Sequence, residues 1–423
     1  MDDRARQIER TYLLLTLLAT LAASFIWGIN TLFLLDAGLS NAEAFGANAF
    51  FAAGEVIFEV PTGVVADTWG RRTSYLLGAG TLLLATLLYL AMWKLRAPMW
   101  AWAVASMALG LGFTFFSGAT EAWLVDALTF AGDKGALDGV FAKAQVVTGV
   151  AMLTGSVGGG LIAQATNLGV PYLIRAVVLG LTLVAAAVLM HDLGFTPARK
   201  SGIGAELKTL LRASLDAGWR NPPVRWLMLA ELFTGGVGIF GFYAMQPHLL
   251  KLWGNPHAFG IAGLAAAIVA GAQIAAGLGA PFLRRLFTRR THVLLLAAGV
   301  STVCLCGIGL TSRFWLAIGL LVFWGLGFSI TMPVRQTFLN AIIPSAQRAT
   351  VLSFDNLMTS AGGVATQPLL GRLSDVSGYP AAYLVSAGIQ SVALPFLWLT
   401  RRQKVASDNF LTQAPPPEPP ERP

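Results

Sequence analysis

Charge is scarce in this chain. Only 12% of its 423 residues are Asp, Glu, Lys or Arg, about half the share that soluble domains carry. With 55% hydrophobic residues and a mean hydropathy of +0.66, a soluble globular protein is excluded. Cysteine is nearly absent: Cys304 and Cys306 lie in one apolar run. Two residues apart, they point to different sides of a helix, and two donors do not make a four-ligand metal cage. The four histidines, His191, His248, His257 and His292, are scattered. There is no H-E-x-x-H and no G-x-x-x-x-G-K-[ST] phosphate loop, so ATP-driven transport by this chain is not expected and no cofactor is implied. An intramembrane enzyme acting on lipid would need a nucleophile with a base at membrane depth, and the deep acids have no histidine near them in sequence. A cleaved signal is not expected either. Arg4, Arg6 and Arg10 precede an apolar run, but it continues from Leu13 to Leu35, about twice a typical h-region.

The net charge of +8 does not point to nucleic acid, because Lys and Arg sit in short segments between apolar runs. Those runs lie near residues 11–36, 41–66, 73–94, 98–129, 139–165 and 171–190, then 223–253, 257–282, 291–311, 314–342, 349–373 and 380–400. A bilayer-crossing helix needs about 20 apolar residues, and barrel strands are shorter and alternate. The expectation is an all-α membrane protein with twelve transmembrane helices. The longest polar stretch, His191–Pro222, separates a bundle at 11–190 from one at 223–400. Within it Leu207, Leu210, Leu211 and Leu215 have helical spacing, which fits a helix on the membrane surface, or else the stretch is a flexible tether.

One alternate set of loops holds most of the Lys and Arg, including Arg71, Arg72, Lys134, Arg284, Arg285, Arg289, Arg290, Arg348, Arg401, Arg402 and Lys404. By the positive-inside rule those loops, the N-terminus at 1–10, the central loop at 191–222 and the tail at 401–423 are cytoplasmic. The proline-rich end of that tail, Ala414–Pro420, cannot build a core, and the tail is expected to be disordered.

Between the second and third runs lies Gly63-Val64-Val65-Ala66-Asp67-Thr68-Trp69-Gly70-Arg71-Arg72. Gly63 would let helices approach closely, and Gly70 can take a positive φ. This G-x-x-x-D-x-x-G-R-R string resembles the loop motif of the Major Facilitator Superfamily, which joins that family's second and third helices. The resemblance extends over residues 11–400 and implies two pseudo-symmetric six-helix bundles. It is partial in the second half: Gly279-Ala280-Pro281-Phe282-Leu283-Arg284-Arg285 keeps the basic charge but has no matching acid, while Gly371–Gly378 closes the eleventh run. In the fifth run Gly155-Ser156-Val157-Gly158-Gly159-Gly160 is similar to the family's antiporter signature, with Ser156 in place of proline. The glycines Gly155, Gly159 and Gly160 also suit close helix packing. The fourth run has no basic residue where the family usually has an arginine.

Acids inside a span are functional candidates because an ionised one is costly there. At ~1.5 Å per residue, Glu59 and Glu55 lie roughly 12 and 18 Å beyond Asp67, on one helix face, and Glu121 about 7 Å deeper than Asp126. Glu55, Glu59 and Glu121 are the proton-binding candidates. The resemblance implies a gate cluster of Asp67, Arg71, Arg72 and Asp126, with Asp67 facing the helix start at Arg348. Cavity candidates are Trp27, Asn30, Phe116, Glu231, Tyr243, Gln246, Gln273, Trp324 and Asn356. The proline after Gln246 is expected to break the seventh helix. Together these point to a monomeric carrier in the plasma (inner) membrane that is similar to drug:proton antiporters. It would export an amphipathic small molecule, a cationic one being the leading case, by alternating access, with the proton gradient as energy source and lipid and protons as its other partners. Import of a nutrient by symport or facilitated diffusion remains the alternative.

Overall fold

Apolar runs of this length fold as helices because every backbone group must find its partner inside the segment when lipid surrounds it. The computed structural model describes residues 3–116, 118–133, 135, 137–197, 218–343 and 348–410, apart from the side chains at 280, 281, 283, 284, 348–350 and 353. Within these residues the chain is helical, the sole bridge being an isolated one between Arg289 and Asn409.

The first span is Asp3–Trp27 continued by Asn30–Asp36. The second is Asn41–Thr68, the third Arg71–Leu95, and the fourth Met99–Phe116 with Ala119–Phe130. The fifth and sixth are Leu137–Ala165 and Gly169–Leu189. Four more follow as Pro222–Trp253, Phe259–Leu286, Arg290–Leu310 and Phe314–Ile342. The helix Arg348–Ser391 bends at Gly378, where φ is 81°, and runs on through Ala393–Arg402. Its apolar part, Phe354–Arg402, has 49 residues, or roughly 74 Å of helix against a ~30 Å hydrocarbon core. It therefore crosses twice, as the eleventh and twelfth spans.

Local sequence sets several of these ends. Ser40 and Glu43 form a capping box at the second span, the Ser40 hydroxyl accepting from the Glu43 amide while the Ser40 amide donates to the Glu43 carboxylate at 2.9 Å. Gly70, at φ 106°, makes the turn between the second and third spans, and the Asp192 carboxylate accepts from the Arg72 amide at 2.8 Å. The seventh span opens on Pro222 and Pro223, whose missing amides are no loss in a first turn. It is continuous through Pro247, contrary to the expected break. Pro247 comes late in a long helix, and its neighbours Gln246, His248 and Leu249 are all buried.

The two chain ends differ from the sequence expectation. Residues 3–10 are not a separate terminus but the first turns of the first helix. Ala5, Ile8, Tyr12 and Leu15 form an i, i+3, i+7 stripe that packs on Leu124 and Leu128, a seam hidden by the charges on the other face. Residues 405–410 are anchored too, Val405 and Phe410 packing against a core cluster. Asp408 is buried and accepts from the Thr291 amide at 2.8 Å and hydroxyl at 2.9 Å, capping the ninth span, while Arg290 donates to the Ser407 and Asn409 carbonyls. The remainder of the tail and the expected surface helix of the central loop lie outside the described residues.

Packing repeats six spans on. Spans 1 and 5, 1 and 6, 2 and 4, 3 and 4, and 3 and 6 pack together, and so do 7 and 11, 7 and 12, 8 and 10, 9 and 10, and 9 and 12. Between the halves, span 5 meets span 8 and span 2 meets span 11, the pair expected from a twofold relation. This is an all-α membrane protein of two pseudo-symmetric six-helix bundles.

The end carrying Asp67 and Arg71 is here termed the basic end. At the opposite, far end the bundles are tied together. The Asp375 carboxylate accepts from the Asn41 and Ala42 amides at 2.9 and 3.0 Å, and the Tyr379 hydroxyl donates to Asn41. Gly260 donates its amide to Gln164 at 3.0 Å. Gly160 and Gly263 let spans 5 and 8 touch: a Cβ on Gly160 would lie 3.0 Å from the Gly263 Cα. By contrast, no described atom comes within 4 Å of a Cβ built on Gly63, so that glycine does not provide a close helix contact here.

Candidate functional site: a two-lobed cavity at Glu55

With the far end shut, a cavity of about 780 Å³ lies between the bundles in the basic half. A second lobe of about 340 Å³ continues from it toward the far end. Glu55, Phe113 and Ser360 line both. The wide lobe brings together Glu55, Glu59 and Glu121, with Phe116 and Asn356 on its wall. A Cβ on Gly110 would stand 2.8 Å from the Glu55 backbone nitrogen, so the fourth span presses against the second just where Glu55 sits.

The deep lobe is lined by Trp27, Asn30, Tyr243, Gln273 and Trp324 among others. Trp27 stacks on Phe242 with centroids 4.4 Å apart, and Trp324 on Phe328 at 5.4 Å. A polar chain runs along one side. The Tyr172 hydroxyl donates to Asn30 Oδ1 at 2.8 Å, and Asn30 Nδ2 donates to Asn48 Oδ1 at 3.1 Å, which leaves Asn48 Nδ2 buried without a partner among the described residues. Behind it Arg175, 3% exposed, donates through Nε to Thr86 at 3.0 Å and through Nη1 to the Ala22 carbonyl at 3.0 Å. Gln367 is fully buried, and among the described residues neither end of its carboxamide has a partner.

Two of the expected cavity residues lie elsewhere. Gln246 reaches across to the break in the first span, where its Oε1 accepts from the Thr31 amide at 3.0 Å and its Nε2 donates to the Trp27 carbonyl at 2.9 Å. It satisfies the backbone groups that the interruption at Gly28 and Ile29 would leave unpaired. Glu231 faces its own bundle, 3.4 Å from Arg335, whose guanidinium also pairs with Asp355. One cation there holds two acids, Asp355 buried and Glu231 partly so.

At the basic end Asp67 accepts from Arg71 at 2.5 Å, and Arg71 Nε lies 3.7 Å from Asp126. Arg72 does not join this cluster: it donates to the Ala187 carbonyl at 2.7 Å, tying the third span to the sixth. The Arg348 side chain lies outside the described residues. Gly155 and Gly159 pack on Ser24 and Phe25 of the first span, and Gly160 on the eighth.

Comparison with known proteins agrees with this architecture. A family model described as Major Facilitator Superfamily matches residues 12–271 and 249–420. The chain belongs to the Major Facilitator Superfamily. Over 114 residues it is 31% identical to the uncharacterized MFS-type transporter YhhS of Salmonella typhi and of Salmonella typhimurium, a stretch that covers 26% of this chain and 28% of those relatives. The chain thus matches little more than a quarter of their length. Among solved structures, the nucleoside transporter NupG superposes with a TM-score of 0.75 at 13% identity, covering 94% of this chain and 99% of that one. The D-xylose-proton symporter gives 0.69 at 16% identity, covering 94% and 98%. At such identities the likeness is one of fold.

Within this Major Facilitator Superfamily member, sequence reasoning passed over Arg175, Asn48 and Gln367. The signal was available. A lone arginine inside the apolar sixth run is as costly in lipid as the acids that were singled out, and the same rule covers carboxamides in a span.

Proposed function

We propose that this chain is a proton-coupled secondary transporter of a small amphipathic solute, working by alternating access around Glu55. The observation that carries the reading is that one carboxyl belongs to both lobes of the cavity. A proton arriving from the basic end and a solute seated in the deep lobe meet the same group, so each alters the other's binding. We take the basic end as cytoplasmic, the membrane as the plasma (inner) membrane, and the working unit as a monomer. In this reading Asp67, Arg71 and Asp126 hold the basic end of the first bundle in register for closure.

The sense of coupling follows from the solute's charge. A cationic solute competes with the proton for Glu55, which gives exchange and, down a proton gradient, efflux; the glycine signature of the fifth span is in keeping with that. An anionic solute instead binds best when Glu55 is protonated, because like charges ~6 Å apart at an effective dielectric near 20 repel by roughly 3 kcal/mol. That gives co-transport, and Arg175 beside the deep lobe favours this second reading. The test is reconstitution into liposomes holding a pH-sensitive dye. Adding solute should move protons in the wild type, and Glu55→Gln should keep solute exchange while losing the proton signal. Solute flux indifferent to a pH gradient of either sign removes the proposal.

A further inference from the structure

Buried groups that lack partners reveal what the deep lobe is built to receive. A guanidinium withdrawn from water is costly unless an anion or several acceptors meet it. Among the described residues no carboxylate forms an ion pair with Arg175, which donates to one hydroxyl and one carbonyl. Its side chain lines the lobe. The chain from Tyr172 through Asn30 to Asn48 is polarised so that its last member presents a donor, and that donor is unsatisfied. On the span-11 side Gln367 offers one donor and one acceptor, both unpaired in a fully buried side chain. Trp27, Phe242 and Trp324 line the same lobe, with Trp27 stacked on Phe242.

We infer that the deep lobe binds a small aromatic carboxylate. Its anionic group sits toward Arg175 and Asn48, its ring lies among the tryptophan and phenylalanine faces, and a polar ring substituent meets the Gln367 carboxamide. Guanidinium and amide donors match a carboxylate's lone pairs, and stacked rings favour a planar body over an aliphatic one. A volume of about 340 Å³ is at the lower end for a ligand cavity, which suits a solute of one or two rings. The acids of the wide lobe do not oppose this, since only Glu55 reaches the deep lobe and it accepts an anion when protonated. The inference rests on reading the cavity as the transport site, but it concerns binding and not coupling.

The test therefore measures binding alone. The purified full chain in nanodiscs is titrated with 2-naphthoate, 2-naphthamide and 2-naphthylmethylammonium, which share a ring and differ in charge, with tryptophan quenching and calorimetry as readouts. The carboxylate should bind on the order of tenfold or more tighter than the amide, the worth of one charge-assisted contact. The ammonium should be weakest. Arg175→Gln should erase the preference for the carboxylate, and Arg175→Lys should keep its sign. Gln367→Leu serves as a second variant if Arg175→Gln does not fold, and should weaken naphthoates carrying a ring hydroxyl more than the parent compound. Equal or tighter binding of the amide or the ammonium, no binding by any of the three at millimolar concentration, or an undiminished carboxylate preference in a folded Arg175→Gln protein each overturn the inference. Naphthoate binding without proton movement in liposomes would retain it and count against the coupling proposal instead.

Discussion

Gln246 offers the sharpest test of how the far end is held shut. Its carboxamide fills two backbone vacancies at the break in the first span, the Trp27 carbonyl and the Thr31 amide. Its side chain is only 1% exposed. Gln246→Ala strands both groups, the Thr31 amide in a buried contact and the Trp27 carbonyl in a part-buried one, at about 1–3 kcal/mol each. Once the far end opens, water reaches them, so the cost falls mainly on the closed state. Taking about 3 kcal/mol for the pair, the closed-to-open ratio drops roughly 100-fold, enough to bring a population of about 99:1 to near parity. The assay is a pulsed electron-paramagnetic-resonance distance between spin labels at Leu95→Cys and Val376→Cys, two exposed far-end positions on opposite bundles. Native Cys304 and Cys306 are replaced by alanine in this background. The wild type should give one short distance and Gln246→Ala a second, longer one. An unchanged distribution in a protein that melts normally would refute the assignment of Gln246 as an interbundle latch.

Two further substitutions test the same packing logic. Gly160→Val places side-chain atoms where a Cβ alone would already sit 3.0 Å from the Gly263 Cα and 2.8 Å from the Phe259 carbonyl oxygen. Spans 5 and 8 must then separate by about 1 Å or more, since packed interiors have no slack of that size. The same label pair should report far-end opening together with loss of transport, while Gly180→Val, with no atom near its Cβ, changes neither. In the second bundle, Arg335→Met leaves the buried Asp355 and the partly buried Glu231 without their cation. Breaking such a group by removing one partner costs about 3–5 kcal/mol, and replacing all three by neutral residues recovers much of it. Thermal melting in detergent should therefore rank the triple variant Arg335→Met/Glu231→Gln/Asp355→Asn above Arg335→Met alone.

Hydropathy and loop charge are properties of short stretches, and what they govern was readable without coordinates: the number of crossings, and the turn with Asp67, Gly70 and Arg71 between the second and third of them. Helical spacing alone put Glu55 and Glu59 on one face, and both line the wide lobe. Averaged apolarity was a poorer guide at the chain ends. A single buried stripe in residues 3–10 and a capping acid at Asp408 hold those segments in place while the stretch as a whole reads as polar.

What the tertiary structure alone decided is which polar residues meet. Gln246 finds its partners 215 and 219 positions away, so it fastens a helix break instead of facing solute. Arg335 takes up Glu231, which leaves Glu55 as the acid common to both lobes. Arg175, Asn48 and Gln367, brought together from three spans in two bundles, set the chemistry of the deep lobe. A span's sequence says that a polar side chain must avoid lipid. The direction it turns to do so depends on how twelve helices close around one another.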